Sequence, residues 1–382
     1  MDSWKVPVLL LPMSLGIGGA ETQVVSLAKH LRGRGWDVLV ASAGGQLVAA
    51  LEQEGIEHYD APLDSRSPLD MLRAGRIVDE LVSHKGVGLV HAHARIPAWI
   101  AEKVCRRRGI PMVMTYHGTF ASGLFWNAFT RPGDATIAKS DDIRDYIARK
   151  FGFDASKITV IPNGIDRETF HPAAPHEQRA ARAALGQDAA SPVVLYASRL
   201  DGGLANSACA TIEACAGLVP RYPALTLLVA GDGDGLEKVQ DCASSANRKA
   251  GREFVRCTGF VYDTFQAYAA SDVVVGMSRV ALEAMACSRP VVIAGPDGIV
   301  GLVAPDNEEA LEQRNYTSRN APYELTAERL ASNIDELLRD PGLREKLGRY
   351  GAEVVERRHS MEEVALRTEE VYGRLLRSRR KS

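Results

Sequence analysis

Apolar residues in the first 160 positions arrive in short, nearly unbroken runs: Val8 to Leu11, Val38 to Ser42, Leu89 to His91, Met112 to Tyr116, Thr136 to Ala138 and Ile158 to Ile161. Such runs suit strands of a parallel sheet covered on both faces. Longer stretches between them have helical spacing. In Glu21 to Arg32, for example, Val24, Val25, Leu27, Ala28 and Leu31 form one stripe. Alternation of this kind predicts βαβ units in a doubly wound α/β fold. The order breaks at Pro162-Asn163-Gly164, and the early part of Asp166 to Ser191, rich in proline, alanine and charge, reads as a linker. The pattern then restarts with Val193 to Ala197, Leu225 to Ala230, Phe254 to Cys257, Val273 to Val275 and Val291 to Ala294. Two consecutive Rossmann-like domains follow from this pattern. From Ala327 onward the chain reads as amphipathic helix, ending on Arg377-Ser378-Arg379-Arg380-Lys381.

Bulk properties narrow the picture. A chain of 382 residues exceeds what one core usually supports. The net charge of -2 supplies no field for nucleic acid. No apolar run reaches the roughly 18 residues of a spanning helix, and Met1 to Leu11 reads as a first buried strand, not a leader. Cys105, Cys209, Cys215, Cys242, Cys257 and Cys287 form no C-x-x-C pair, so buried thiols in a reducing compartment are expected in place of disulfides or zinc. The expectation is a cytoplasmic protein. Its basic end reads first as a solvated terminus and leaves room for peripheral contact with anionic lipid at the inner membrane face.

Chemistry-bearing residues gather in the turns after the strands, where open α/β sheets bind ligands. Gly16-Ile17-Gly18-Gly19-Ala20-Glu21 follows the first strand and opens a helix, whose free N–H groups favour an anion. A dinucleotide fingerprint is not met, because Glu21 occupies the last glycine position and Ala41-Ser42-Ala43-Gly44 offers no acid to a ribose. In the second half Arg199 follows a strand and could grip a diphosphate. Gly276-Met277-Ser278-Arg279 opens another helix, with Glu283 one turn inside to accept from vicinal hydroxyls. Gly295-Pro296-Asp297-Gly298 is a third such turn. Each has a plainer reading as a tight turn, a solvated arginine or a helix-dipole partner. Asp232-Gly233-Asp234 spells a metal-binding D-x-D, but it follows a strand of a doubly wound domain, and the calcium-loop glutamate position is Ala243. His91 and His93 would share one strand face and are expected as strand-end histidines, not metal ligands.

Taken in order, these residues resemble glycosyltransferase family 4, of the GT-B fold, over nearly the whole chain. The marks are Gly18-Gly19-Ala20-Glu21, His117-Gly118, Ser140, Ile161-Pro162-Asn163-Gly164-Ile165-Asp166, Ser198-Arg199-Leu200, Gly231-Asp232-Gly233, Gly259-Phe260-Val261 and Leu282-Glu283-Ala284-Met285-Ala286. The resemblance implies two Rossmann-like domains facing across a cleft. Residues 1–168 would form the acceptor side and 169–358 the donor domain, with 359–382 a helix packing back on the first domain. It implies a retaining, metal-independent transfer from a nucleotide sugar, with UDP favoured over GDP, to a saccharide or lipid-linked acceptor, needing no cofactor. Gly18 and Gly19 would face the donor phosphates, His117 the transferred sugar or reacting oxygen, and Arg199 the diphosphate. Gly259, Phe260 and Val261 would hold the base and Glu283 the ribose, with Gly231, Gly276 and Ser278 at the donor.

The chain also departs from the family pattern. Leu204 and Ala205 stand where members carry a lysine, and no lysine occurs between Lys157 and Lys238. Arg279 is the substitute expected to clamp phosphate. The earlier family glutamate would fall on Val275, inside a strand, and Ser278 replaces a glycine of the subgroup pattern G-x-G-R-x-A-L-E-A-M-A. These departures keep open a nucleotide-sugar-binding protein that does not catalyse. A nucleotide-sugar epimerase, which needs no acceptor, is a further reading of the same fold. Loops Ala61 to Pro68 and Thr119 to Thr130 would meet the acceptor. Phe120, Phe125, Trp126 and Phe129 would either bind a lipid-linked or aromatic group or pack underneath.

Overall fold

The computed structural model describes residues 5–16, 18–120, 123–186, 188, 191–261 and 263–379. The basic end from Arg380, and the side chains of Leu124 and Phe125, lie outside the described residues. The chain forms two compact units, Met1–Gly164 with Met361–Ser382, and Ile165–Ser360. The joints fall at 164/165 and 360/361 instead of the expected 168/169 and 358/359.

The first unit runs β1 (Val8–Leu11), α1 (Gly19–Gly33), β2 (Val38–Ser42), α2 (Val48–Gln53), β3 (Glu57–Asp60), α3 (Pro68–His84), β4 (Leu89–Ala92), α4 (Arg95–Arg108), β5 (Met112–Tyr116), α5 (Leu124–Asn127), β6 (Ala135–Ala138), α6 (Asp141–Phe151) and β7 (Ile158–Val160). Its seven strands are parallel, in the order β3-β2-β1-β4-β5-β6-β7. Successive residues of β1 enter opposite cores: Leu9 and Leu11 on one face, Val8 and Leu10 on the other. β3 went unread in the sequence because Glu57-His58-Tyr59-Asp60 is a polar edge strand, defined by pairing with β2.

The second unit continues with α7 (Pro175–Ala184), β8 (Val193–Ala197), α8 (Gly203–Leu218), β9 (Thr226–Ala230), α9 (Leu236–Ala250), β10 (Val255–Gly259), α10 (Thr264–Ala270), β11 (Val273–Gly276), α11 (Arg279–Ala286), β12 (Val291–Gly295), β13 (Gly298–Leu302), α12 (Glu308–Glu312), α13 (Ala327–Arg339) and α14 (Pro341–Val354). The strand order is β10-β9-β8-β11-β12-β13, parallel except for β13 against β12. The turn at Gly295–Gly298, expected to face a ligand, is therefore the tip of an antiparallel hairpin. A Cβ on Gly298, at φ +130°, would sit 2.2 Å from the Tyr323 carbonyl oxygen.

After Ser360 the chain returns to the first unit as α15 (Met361–Arg379). Met361, Val364, Ala365, Val371 and Tyr372 complete the core under Val24 and Leu27 of α1. Tyr372 meets Trp36 edge-on at 5.3 Å. Arg379 donates to the Gly109 carbonyl and to Asp134, so the helix is tied down to its last described turn.

One expectation is overturned: Cys209 and Cys242 are joined in a disulfide between α8 and α9, with Cα atoms 5.8 Å apart. The two residues are 33 positions apart, with β9 between them. Only the side-by-side packing of the two helices brings the sulfurs together. Cys105, Cys215 and Cys287 are buried free thiols, and Cys257 is half-buried and free.

Candidate active site

In the second unit the backbone locks three strand-end turns together. The Ser198 N–H donates to the Ala230 carbonyl at 3.1 Å, Leu200 to Asp232 at 2.9 Å, and Gly231 to Gly259 at 2.9 Å. The glycines are required: a Cβ on Gly231 (φ +155°) would stand 1.9 Å from the Ser198 oxygen, and one on Gly233 (φ +147°) 2.3 Å from Asp201 Oδ1. This clasp places Arg199 beside Gly231 and Gly259. The Arg199 side chain is 60% exposed, with Nε 3.9 Å from Asp201 Oδ2. Phe260, next to Gly259, is among the few exposed large apolar residues, and Val261 packs against the core. Asp232 and Asp201 spend their carboxylates on the backbone N–H groups of Gly233 and Asp234, at 2.8 and 2.9 Å. Among the described residues no group of three or more His, Cys, Asp or Glu could hold a metal ion.

β11 ends at Gly276, where a Cβ would crowd Val280 at 2.6 Å. Ser278 caps α11 at φ 53°, ψ -125°, in territory that favours glycine. Its N–H donates to the Tyr316 carbonyl at 2.6 Å, and Asn315 Nδ2 donates to its Oγ at 3.3 Å. One turn on, Arg279 Nε donates to Glu283 Oε1 at 2.7 Å and the Tyr268 hydroxyl donates to Oε2 at 2.8 Å. Burial, with Glu283 next, holds the Tyr268 hydroxyl well above its usual pKa, so it remains a donor. Glu283, expected to face ribose hydroxyls, is thus buried with both oxygens already engaged. Arg279 Nη1 is buried and has no hydrogen-bond partner among the described residues. Tyr268 escaped the sequence reading because nothing local marks a residue that reaches across from α10. Leu204 and Ala205, at the missing lysine, lie in the first turn of α8.

In the first unit Gly18 caps α1 in extended conformation without a side-chain cap, Gly19 begins the helix, and Ile17 lies outside the described residues. Behind the C-terminal ends of β4 and β5 three histidines are stacked. His91 is buried between the Tyr372 hydroxyl and Thr115 Oγ1, at 2.7 Å each. His93 Nδ1 lies 3.2 Å from His117 Nε2. Desolvation keeps all three neutral at pH 7, with His93 lowered to about 3 and His91 and His117 well below their usual value. His93 Nε2 is buried without a partner among the described residues. A buried N–H left unbonded costs more than a bare lone pair, so the proton belongs on His93 Nδ1, donated to His117 Nε2. His117 then carries its own proton on Nδ1, a neutral donor. Lys139, buried beside this group, has its pKa lowered to about 7 by desolvation and then by Arg367. Its Nζ reaches the Pro162 carbonyl at 3.4 Å. Lys139 was not singled out in the sequence, where a lysine after a strand looks like any surface cation.

The loops expected to meet an acceptor are layered. Arg95 lies 4.2 Å from the ring centres of both Phe120 and Trp126, and Arg66 lies 4.7 Å from Trp126. Phe120 and Phe129 pack against the core, and guanidinium groups lie over Phe120 and Trp126, so these residues do not form a bare apolar shelf.

Comparison with known proteins agrees with this arrangement. The model described as Glycosyltransferase Family 4 matches residues 17–169, and that described as Glycosyl transferases group 1 matches residues 191–340. The alpha-maltose-1-phosphate synthase of Mycolicibacterium smegmatis is 26% identical, across 94% of this chain and 96% of its own. The D-inositol 3-phosphate glycosyltransferase of Frankia alni is 27% identical, across 86% and 88%. A glycosyltransferase from Rickettsia africae superposes with TM-score 0.81 at 20% identity, covering 97% and 99% of the two chains. HepE of Anabaena, solved with UDP-glucose, gives 0.77 at 22% identity, covering 97% and 100%. Strand-end turns in place, two Rossmann-like sheets and both family models together lead to one conclusion: this chain belongs to glycosyltransferase family 4 and has the GT-B type of fold.

Proposed function

We propose that the protein transfers a sugar from a UDP-sugar to a saccharide or lipid-linked acceptor, with retention of anomeric configuration and without a metal. The observation that carries this reading is Arg199, held largely exposed by the Ser198–Gly231–Gly259 clasp at the C-terminal end of β8. Developing charge on a departing diphosphate is the main thing such an enzyme must stabilise, and preorganised guanidinium and N–H donors do so without reorganising. Arg279 adds a second cation at the N-terminus of α11, in the role the missing lysine leaves open. Gly259, Phe260 and Val261 take the base, Gly231, Gly276 and Ser278 line the phosphates, and Gly18 and Gly19 offer the α1 N-terminus. Glu283 takes the ribose once its carboxylate is released from Tyr268. His117, neutral and donating through Nδ1, serves the hydroxyl of the transferred sugar. The solved complex of HepE with UDP-glucose supports the choice of UDP.

Thermal-shift titration of UDP, GDP and ADP with chelator present tests the donor. A ligand at about a hundred times its dissociation constant stabilises by roughly 2.7 kcal/mol. The expected result is a shift with UDP that Arg199→Ala weakens, and slow donor hydrolysis that the same change abolishes. Binding without any turnover would favour the non-catalytic reading, which draws on the engaged Glu283 and the strained Ser278.

A further inference from the structure

At the opposite end of the second sheet from Arg199 lies a cavity of about 320 Å³ lined by Gln178, Arg179, Arg182, Pro192, Asp272, Leu338 and Arg344. Pro192 and Asp272 immediately precede β8 and β11, whereas Arg199 and Ser278 follow those same strands. The five residues of β8 therefore separate the two places by roughly 16 Å. Three guanidinium groups face this cavity against one carboxylate.

That carboxylate is already committed. Asp272 Oδ2 accepts from Arg182 Nη2 and from the Val193 N–H, both at 2.8 Å. Arg182 is buried and also donates to the Ser191 carbonyl at 3.0 Å, which pins the start of β8. Arg289, half-buried behind them, is held below the usual guanidinium value mainly by desolvation and feels both Asp272 and Arg182. Asp272 therefore balances one guanidinium while standing among two. Arg344 Nη1 donates to the Leu337 and Leu338 carbonyls at 2.7 and 2.9 Å, which aims its guanidinium from α14. Arg179, on the exposed side of α7, makes no ion pair among the described residues. Three guanidinium groups against one carboxylate among the described lining residues of a concave, partly desolvated site favour an anion.

We propose that this cavity is a second, regulatory site for a small phosphorylated molecule of hexose-phosphate size, distinct from the donor site. The forked donors of Arg179 and Arg344 suit a phosphoryl group. The volume lies at the lower end of the range for small-molecule pockets and exceeds what one phosphate fills. Gln178 supplies an amide for hydroxyl groups. Because the pocket contacts α7 and the starts of β8 and β11, occupancy couples to strands whose other ends carry Arg199 and Ser278.

The test uses the full chain with UDP present in excess. Glucose 6-phosphate is titrated calorimetrically at constant ionic strength, with inorganic phosphate as a parallel probe. The expected result is one site per chain for glucose 6-phosphate, inorganic phosphate at least tenfold weaker, and at least tenfold loss in Arg179→Glu. Arg179 is exposed, so that variant tests the site without disturbing the buried Arg182–Asp272 pair; Arg344→Ala, which also loses two carbonyl contacts, is read beside it with circular dichroism. Absence of binding in the wild type overturns the proposal. So does unchanged affinity in Arg179→Glu, which would place the anion elsewhere, and so does equal affinity for inorganic phosphate, which would remove the organic ligand.

Discussion

Arg279 and Glu283 face each other one turn apart on α11, Nε to Oε1 at 2.7 Å, with side chains only 14% and 9% exposed. Pairing at this depth lets each residue offset the cost of burying the other's charge. Removing Arg279 leaves a buried carboxylate with Tyr268 as its remaining hydrogen-bond partner among those described. The expected cost of Arg279→Ala is about 3 kcal/mol. Arg279→Ala combined with Glu283→Gln should cost less than Arg279→Ala alone. Urea midpoints for the two singles and the double decide it, and strictly additive losses would show that the pair is not coupled.

Ser278 is strained where a glycine would not be. Ser278→Ala keeps φ at 53° and loses the bond from Asn315, so it should fall below wild type by about 1 kcal/mol. Ser278→Gly exchanges that bond for relief of strain and should be at least as stable as wild type, while β-branched Ser278→Val should be the least stable. Melting temperatures that put glycine below alanine would show that the hydroxyl, not the backbone, decides this position.

Lys139 gives the first unit a pH signature. Its folded pKa of about 7 lies below its ordinary 10.5, so between those values the unfolded chain binds more protons. Stability should therefore rise with pH across that window, and the penalty for burying the charge is full below pH 7. Lys139→Met should be more stable than wild type at pH 6.5, with the gap closing as pH approaches 10.5. Denaturant midpoints at several pH values check this; a gap independent of pH would mean that Lys139 stays protonated in the folded chain.

The Cys209–Cys242 bridge closes a separation of 33 residues. Chain-entropy arithmetic gives roughly 3–4 kcal/mol for such a loop. Dithiothreitol should lower the wild-type unfolding free energy by about that amount, read from denaturant curves, and leave Cys242→Ser, already lowered, unchanged. Equal response of both proteins to reductant would rule the bridge out.

The strands facing helices on both sides were legible as near-continuous apolar runs, because burial on both faces leaves few polar positions. β3 and β13 were not. One is a polar edge strand, defined by its pairing with β2; the other carries Ile299, Val300 and Leu302, but Gly298 and Gly301 break the run and it directly follows a turn. The glycines of the clasp were legible as turn residues. Their purpose was not, since the Ser198 oxygen that excludes a Cβ at Gly231 lies 33 positions away in the chain. The same applies to charge: sequence shows Arg279 and Glu283 at helical spacing, but not Tyr268 completing the set, nor Lys139 losing its solvent.

The sequence by itself determined the class of fold, the family and the positions of the strand-end turns, because periodicity and turn chemistry act over a few neighbouring residues. Tertiary structure alone decided which groups share a site. The disulfide, the His93–His117 contact, the engagement of Glu283 and the arginine-lined cavity each join residues from separate elements. Desolvation and hydrogen bonding between elements, which set those pKa values and pairings, exist only once the elements have packed.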